Sequence, residues 1–105
     1  MRLRTRYQFQ RMAQSSFKRT GEWIIVAIRP IQDHPSKLGI LVTKRYGSSP
    51  QRNRFKRLVR ESFRLLYPEI LTSCDILVRP RSKALNANLK DIQEELRKFM
   101  QQFIS

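Results

Sequence analysis

The chain has 105 residues, enough for one domain with a core of its own but too few for a second domain. Its hydrophobic content of 40% indicates a folded protein and argues against reading the high charge as disorder. The formal net charge is +14, from 22 Lys and Arg against 8 Asp and Glu, and self-repulsion of this size indicates a polyanionic partner.

The first part of the chain predicts a short helix and then a strand. Thr5 suits the cap of a helix that carries Phe9, and Gly21 interrupts the segment that follows. Residues 22–29 are rich in Ile, Val and Trp, which favours a strand, and Pro30 ends it.

The middle of the chain predicts a second strand and a long basic helix. The strand covers residues 38–44. Ser49 offers a hydroxyl cap and Pro50 has the fixed φ that suits the first helical position, so we expect the helix to begin there. The same helix is expected to run to about Tyr67, because Pro68 disfavours helical backbone in the residue before it.

The last third predicts a further strand and a C-terminal helix. The strand covers residues 75–79 and is closed by Pro80. The basic helix therefore connects two strands, as in the crossover of a single-domain α+β sandwich that spans residues 1–105. The C-terminal helix is indicated by a stripe of apolar residues at helical spacing. Its members are Leu89, Ile92, Leu96, Phe99, Met100 and Phe103.

The basic helix separates its charges from its apolar residues at about 100° per residue. One side is predicted to be buried and the other to meet something negative. The polar side holds Asn53, Lys56, Arg57, Arg60 and Arg64, and the apolar side holds Phe55, Leu58, Val59, Ser62 and Leu66.

The charge pattern favours a nucleic acid over a merely solvated helix face. Residues 1–67 carry +13 of the net charge, so we expect them to form a binding surface on a scaffold made by the rest. Between Lys44 and Arg64 there is one acid against eight basic residues, so side chains four apart repel each other instead of pairing. Arginine outnumbers lysine about two to one, which suits forked contacts with phosphate and stacking on bases, as in a folded RNA.

Unaided catalysis is not predicted. His34 is the only histidine and lies in a predicted loop, where a solvated side chain is the simpler interpretation.

Cys74 is the only cysteine, so it has no internal disulfide partner and suits buried packing in a reducing cytoplasm. The sequence contains no zinc cluster, P-loop or nucleophile elbow, and its longest apolar run, 23–28, is too short for a membrane span. The acids Asp91, Glu94 and Glu95 are interpreted as favourable charges near a helix start.

Two aromatic residues in the basic N-terminal segment leave two interpretations open. Phe9 lies near Arg6 and Arg11, and Phe17 is followed by a lysine and an arginine. Such rings either stack on bases or pack in the core, and the sequence favours neither for Phe9.

The basic turn and helix resemble a known family. Lys44-Arg45-Tyr46-Gly47 and then RNRFKRLVRESFR at residues 52–64 are similar to the signature of the bacterial ribonuclease P protein component. That family shows a Lys-Lys/Arg-x-Gly turn followed by Arg-Asn-Arg-x-Lys-Arg-x-x-Arg-x-x-Phe. The resemblance extends over nearly the whole chain, including the segment around Phe9 and the strand that ends at Pro80.

The resemblance implies an α-β-β-β-α-β-α two-layer sandwich of the ribosomal protein S5 domain 2-like kind, with a left-handed βαβ crossover around the basic helix. It also implies a cytoplasmic, bacterial accessory subunit that has no catalytic or metal-ligating residues of its own. Its partners would be the catalytic ribonuclease P RNA and the 5′ leader of precursor tRNA, with no DNA and no membrane. The RNA would mainly hold the Mg²⁺ needed to remove the leader by endonucleolytic cleavage.

The resemblance also assigns roles to individual residues. A cleft between the first helix and the sheet would hold the single-stranded leader, with Phe9 in it. Ala13 and Val26 stand where relatives can carry rings in that cleft, so either leader stacking is weaker in this protein or Phe17 compensates. The helix entry Gly47-Ser48-Ser49-Pro50 differs from the usual Gly-Asn-Ala-Val of the family. The surface for the catalytic RNA would comprise Lys44, Arg45, Arg52, Asn53, Arg54, Lys56, Arg57 and Arg60, and the helical wheel adds Arg64.

Two alternatives share the size and charge of this chain. A small basic ribosomal or other structural RNA-binding protein is the first of them. A DNA-binding helix-turn-helix protein is less favoured, because no second helix is predicted beside the basic one at the required turn length.

Overall fold

The computed structural model describes residues 17–31, 35–69 and 73–104. The predicted first helix with Phe9, and the loop residue His34, lie outside the described residues. The described elements are strands β1 (Phe17–Thr20), β2 (Ile24–Pro30), β3 (Lys37–Ile40) and β4 (Cys74–Pro80), and helices α1 (Ser49–Leu66) and α2 (Leu89–Ile104). Short 3-10 turns occupy Lys44–Tyr46, Tyr67–Glu69 and Ser82–Asn86.

The four strands form one sheet in the order β1-β2-β4-β3. β2 pairs with β1 and with β4 in antiparallel fashion, whereas β3 and β4 are parallel. Parallel neighbours need a crossover connection, and here α1 provides it between β3 and β4. The predicted α+β sandwich with the basic helix in its crossover is therefore confirmed.

The structure adds one strand to those predicted from the residues and shortens another. β1 was not predicted from the residues themselves, because four residues between Ser16 and Gly21 show little apolar alternation; pairing with β2 makes them a strand. β3 ends at Ile40 instead of Lys44. Its partner β4 ends at Pro80, which has no N–H to continue a ladder, so the chain after Leu41 turns away into the 3-10 turn at Lys44–Tyr46.

Both helices cover one face of the sheet. Along β2, buried and partly exposed residues alternate, so Ile24, Val26 and Ile28 all point to this face. They join a single core cluster with residues of β4, α1 and α2. The helix residues in that cluster are Phe55, Val59, Phe63, Leu66, Ile92, Leu96, Phe99 and Met100.

The start of α1 lies one residue earlier than the sequence predicts. Ser48, not Ser49, is the N-cap, and Pro50 follows as the second helical residue. The reason is a capping box: the Gln51 backbone N–H donates to the Ser48 hydroxyl at 3.4 Å, and the Ser48 N–H donates to the Gln51 side chain at 2.7 Å. The helix ends at Leu66, and the chain continues through the 3-10 turn that contains Pro68.

The three acids at the start of α2 have three different roles. Asp91 forms a reciprocal hydrogen-bonded pair with Asn88, as a capping residue does. Glu94 makes only a surface ion pair with Lys90 at 3.9 Å. Glu95 accepts hydrogen bonds from three consecutive backbone N–H groups at 2.8 to 2.9 Å, which joins α2 to the start of β2. The donors are Glu22, Trp23 and Ile24. Neither described helix is long and apolar enough to cross a membrane.

Candidate nucleic-acid interface

The outer side of α1 carries the charges that the helical wheel predicts. Five residues lie on this side, and four of them are exposed while Lys56 is half-buried. The exposed residues are Asn53, Arg57, Arg60 and Arg64. Phe55, Val59, Ser62 and Leu66 are buried on the opposite side, and Leu58 is half-buried, so the predicted division of the helix is confirmed.

Acids do not neutralise this side. Within the described residues, Lys56, Arg57 and Arg60 have no carboxylate partner. Arg64 is ion-paired with Glu61, and this contact lowers the pKa of Glu61 by a hydrogen bond to its carboxylate. Lys56, Arg57 and Arg60 therefore form an uncompensated cationic stripe over little more than one turn of the helix. We refer to Asn53, Lys56, Arg57 and Arg60 as the cationic face.

Two signature arginines turn away from the cationic face. Arg52 is half-buried, and its Nη2 donates to the Ser49 hydroxyl at 2.9 Å. Arg54 is also half-buried, and its Nη2 donates at 2.6 Å to the carbonyl oxygen of Ala87, 33 residues further along the chain. The structure therefore separates these two arginines from the rest of the signature.

The turn before α1 holds two more predicted residues. Lys44 and Arg45 are exposed in the 3-10 turn, next to the N-terminal end of the cationic face. The Tyr46 ring packs against Phe55 with ring centroids 5.7 Å apart, which fixes the turn to the helix. Burial raises the pKa of Tyr46, and the nearby Arg54 guanidinium partly opposes this shift.

A cleft of about 350 Å³ opens beside this turn. It lies where the parallel strands β3 and β4 both end, so residues that are distant in sequence meet at one edge of the sheet. Arg45 and Arg79 supply cationic groups, and the remaining lining is hydroxyl-bearing or apolar. These other lining residues are Leu41, Thr43, Tyr46, Pro80 and Ser82. The sequence analysis did not select Thr43, Arg79 or Ser82; only the parallel pairing of β3 and β4 would have indicated them.

Phe17, the second candidate for the leader cleft, has an aromatic packing partner. Phe17 pairs in register with Ile28, so its ring lies on the helix side of the sheet, edge-on to Phe103 with centroids 5.7 Å apart. The Arg19 guanidinium lies over the same ring at 3.9 Å. A leader-binding role for Phe17 stays a prediction. Val26 is fully buried in the core, and the assignment of its position to the leader cleft stays a prediction.

The cationic face does not suit a magnesium ion held by the protein. Mg²⁺ prefers oxygen ligands, above all carboxylates, whereas this face presents guanidinium, ammonium and amide groups. Within the residues that the structure describes, no three His, Cys, Asp or Glu side chains come together.

The family profile described as Ribonuclease P matches residues 1–104. The chain belongs to the ribonuclease P protein family. One relative, the ribonuclease P protein component of Chloroflexus aurantiacus, is 31% identical over 102 residues, which cover 96% of this chain and 76% of the relative. The corresponding component of a Roseiflexus species is 38% identical over 84 residues, 80% of this chain and 69% of the relative.

Solved structures of ribonuclease P proteins have the same fold. The protein from Thermotoga maritima superposes with a TM-score of 0.85 at 30% identity, covering 97% of this chain and 96% of that one. The protein from Staphylococcus aureus gives a TM-score of 0.83 at 26% identity, covering 95% and 92%. These similarities confirm the predicted role as a protein component of the tRNA-processing ribonuclease P and do not favour a ribosomal protein. Membership in the ribonuclease P protein family also implies a partner RNA subunit.

Proposed function

We propose that the chain is a single RNA-binding domain that holds the catalytic RNA of ribonuclease P on the cationic face, and the 5′ leader of precursor tRNA beside it. In this proposal the RNA performs the cleavage and the protein supplies no catalytic residue. One observation carries the proposal: Lys56, Arg57 and Arg60 lie along one side of α1 without a carboxylate partner among the described residues.

The physical argument rests on the repulsion between these side chains. Lys56 and Arg60, like Arg60 and Arg64, are four residues apart, where like charges destabilise a helix by a few tenths of a kcal/mol, about 0.2–0.5 per pair. Only Arg64 gains a compensating acid, Glu61. Phosphates placed along the stripe would remove the repulsion and add charge-assisted hydrogen bonds. Asn53, exposed on the same side, adds an amide that both donates to and accepts from a base or a ribose.

The cleft beside the turn extends this surface. Arg45 and Arg79 face one opening with the hydroxyl groups of Thr43 and Ser82, a combination that suits a backbone phosphate. Leu41 and Pro80 add apolar wall against which a sugar or base can pack. Because Arg45 also flanks the cationic face, we assign the cleft to the same RNA-binding surface.

The protein's contribution is electrostatic. Its arginines would neutralise phosphates where leader and catalytic RNA converge, so that both fit the site together and precursor tRNA is preferred over mature tRNA. We assign the magnesium ions to the RNA, because the cationic face offers no carboxylate ligand. The bacterial cytoplasm is the proposed location, and DNA is not a proposed partner.

Reconstitution tests the function directly. The protein, the catalytic RNA and precursor tRNA are combined at low magnesium concentration, and leader release is measured. We expect cleavage only when protein and RNA are both present, because neutralised phosphates reduce the magnesium required. Cleavage by the protein alone, or no stimulation by the protein, would refute the proposal.

The salt dependence of binding tests the cationic face. We expect Arg57→Ala to reduce the slope of log affinity against log salt concentration by about 0.7–0.9, the value for one lost phosphate contact. Lys90→Ala is the control, since it removes one charge from the exposed surface of α2 and is expected to leave the slope unchanged. Equal slopes for wild type and Arg57→Ala would show that Arg57 does not contact a phosphate.

A further inference from the structure

Arg54 is part of the signature that resembles an RNA-binding motif, yet its guanidinium binds the protein itself. Its Nη2 donates to the Ala87 carbonyl oxygen at 2.6 Å in a half-buried position. Ala87 is fully buried, so this carbonyl group has little access to water that could replace the donor. A charged donor on a sheltered acceptor makes a stronger hydrogen bond than a neutral one.

The contact joins three segments of the fold. Arg54 is in the second turn of α1, and Ala87 follows the 3-10 turn at Ser82–Asn86. Directly after Ala87, Asn88 and Asp91 form the reciprocal pair that caps α2. The third segment is the turn before α1, because the Tyr46 ring of that turn packs against Phe55, the residue after Arg54.

These contacts place Arg54 at the junction that sets the direction of the cationic face. Asn53, the residue before Arg54 in the helix, is exposed, whereas the Arg54 guanidinium turns toward the Ala87 carbonyl group. A rotation of the first turns of α1 would move Asn53 and Arg57 together, and the Ala87 contact resists that rotation. The same junction holds the turn that carries Lys44 and Arg45.

We infer that Arg54 is a positioning residue of the RNA-binding surface, which holds α1 against the start of α2 and contacts no RNA phosphate itself. The inference depends on the proposed function, because positioning has a consequence only if the face binds RNA. It separates Arg54 from Arg57: both are arginines of the signature, but only Arg57 is expected to release a counterion on binding.

The test compares Arg54→Met with Arg57→Met, two substitutions that keep an unbranched side chain and remove the guanidinium. Affinity for the catalytic RNA is measured over a range of salt concentrations, at a temperature where circular dichroism shows each variant to be fully folded. We expect Arg54→Met to bind roughly tenfold more weakly, because the RNA must then restore a helix orientation that the charge-assisted hydrogen bond to Ala87 no longer maintains. The salt slope should stay at the wild-type value. Arg57→Met should reduce the slope of log affinity against log salt concentration by about 0.7–0.9.

The outcomes are distinct. A slope reduced equally in both variants would show that Arg54 binds a phosphate and would overturn the inference. Unchanged affinity of a fully folded Arg54→Met protein would also overturn it, because a purely structural contact affects stability alone. Absence of salt-dependent binding by the wild-type protein would instead refute the proposed function and leave the Ala87 contact intact.

A measurement on the wild-type protein keeps the inference testable if Arg54→Met does not fold. In the free protein, NMR of the guanidinium groups should show slowed rotation for Arg54, whose Nη2 is bound, and rapid averaging for the exposed Arg57. On addition of catalytic RNA, the Arg57 signals should shift more than those of Arg54. Rapid averaging of Arg54 in the free protein would contradict the positioning role.

Discussion

Glu95 offers a sharp test of how the C-terminal helix is held to the sheet. Its carboxylate accepts from the backbone N–H groups of Glu22, Trp23 and Ile24, which are 71 to 73 residues away in sequence. Glu95→Ala would remove the acceptor from all three groups at once. We expect this substitution to destabilise the fold without touching the cationic face.

The magnitude follows from the exposure of the three donors. Ile24 is fully buried, so its N–H would be left unsatisfied at a cost of about 1–3 kcal/mol. Trp23 is half-buried and should lose part of that amount, whereas Glu22 is exposed and its N–H can bind water. The free energy of unfolding should therefore fall by about 2–4 kcal/mol, a large share of the roughly 5–15 kcal/mol that stabilises a typical domain.

Urea unfolding, followed by circular dichroism, measures this loss. A decrease of this size should lower the midpoint by about 1–2 M at the m-values usual for small domains. Glu94→Ala is the matched control, because Glu94 precedes Glu95 and makes only the exposed contact with Lys90. It should change stability by less than about 0.5 kcal/mol. Glu95→Gln retains one acceptor oxygen, so its loss of unfolding free energy should lie between those of Glu95→Ala and Glu94→Ala.

Gly21 provides a second test of the same contact. A Cβ built on Gly21 would overlap the Glu95 carboxylate, although the glycine backbone has no positive φ. Gly21→Ala should therefore destabilise the wild type but cost less in the Glu95→Ala background, so the two effects should not add. Additive effects, or a Glu95→Ala protein as stable as Glu94→Ala, would refute the argument that this carboxylate joins α2 to β2.

The remaining predictions concern the N-terminal cap of α1 and Cys74, the buried first residue of β4. Ser48→Ala removes one half of the capping box with Gln51 and should cost about 1 kcal/mol in urea unfolding, whereas Ser49→Ala should cost less; the opposite ranking would place the cap at Ser49. Burial raises the pKa of Cys74 to about 11, so the thiol stays protonated at pH 8 and should react with a thiol reagent only after unfolding. Rapid labelling of the native protein would contradict this. Above the ordinary thiol pKa the unfolded chain loses its proton first, so stability should decrease as the pH rises toward 11.

Local patterns in the sequence were sufficient to predict the two described helices and the residues on the outer side of α1. The spacing of Phe55, Val59 and Leu66 predicted the buried side, because helical periodicity alone determines which residues share a side. The apolar stripe of α2 was predicted for the same reason. Strand β1 was not, because its four residues become a strand only through pairing with β2. The predicted end of β3 and the predicted cap of α1 were both off, because the first depends on Pro80 in the neighbouring strand and the second on the capping box of Ser48 and Gln51.

The sequence by itself determined the charge, the two sides of α1 and the family, because these depend on composition and on residues close together in the chain. Only the tertiary structure decided what Arg54, Arg79 and Glu95 do. Arg54 reaches Ala87, Arg79 meets Arg45 in a cleft, and Glu95 binds the start of β2. Each partner is more than 30 residues away, and their meeting depends on how the helices and strands pack. A charged side chain alone therefore does not reveal whether it faces RNA or stabilises the protein.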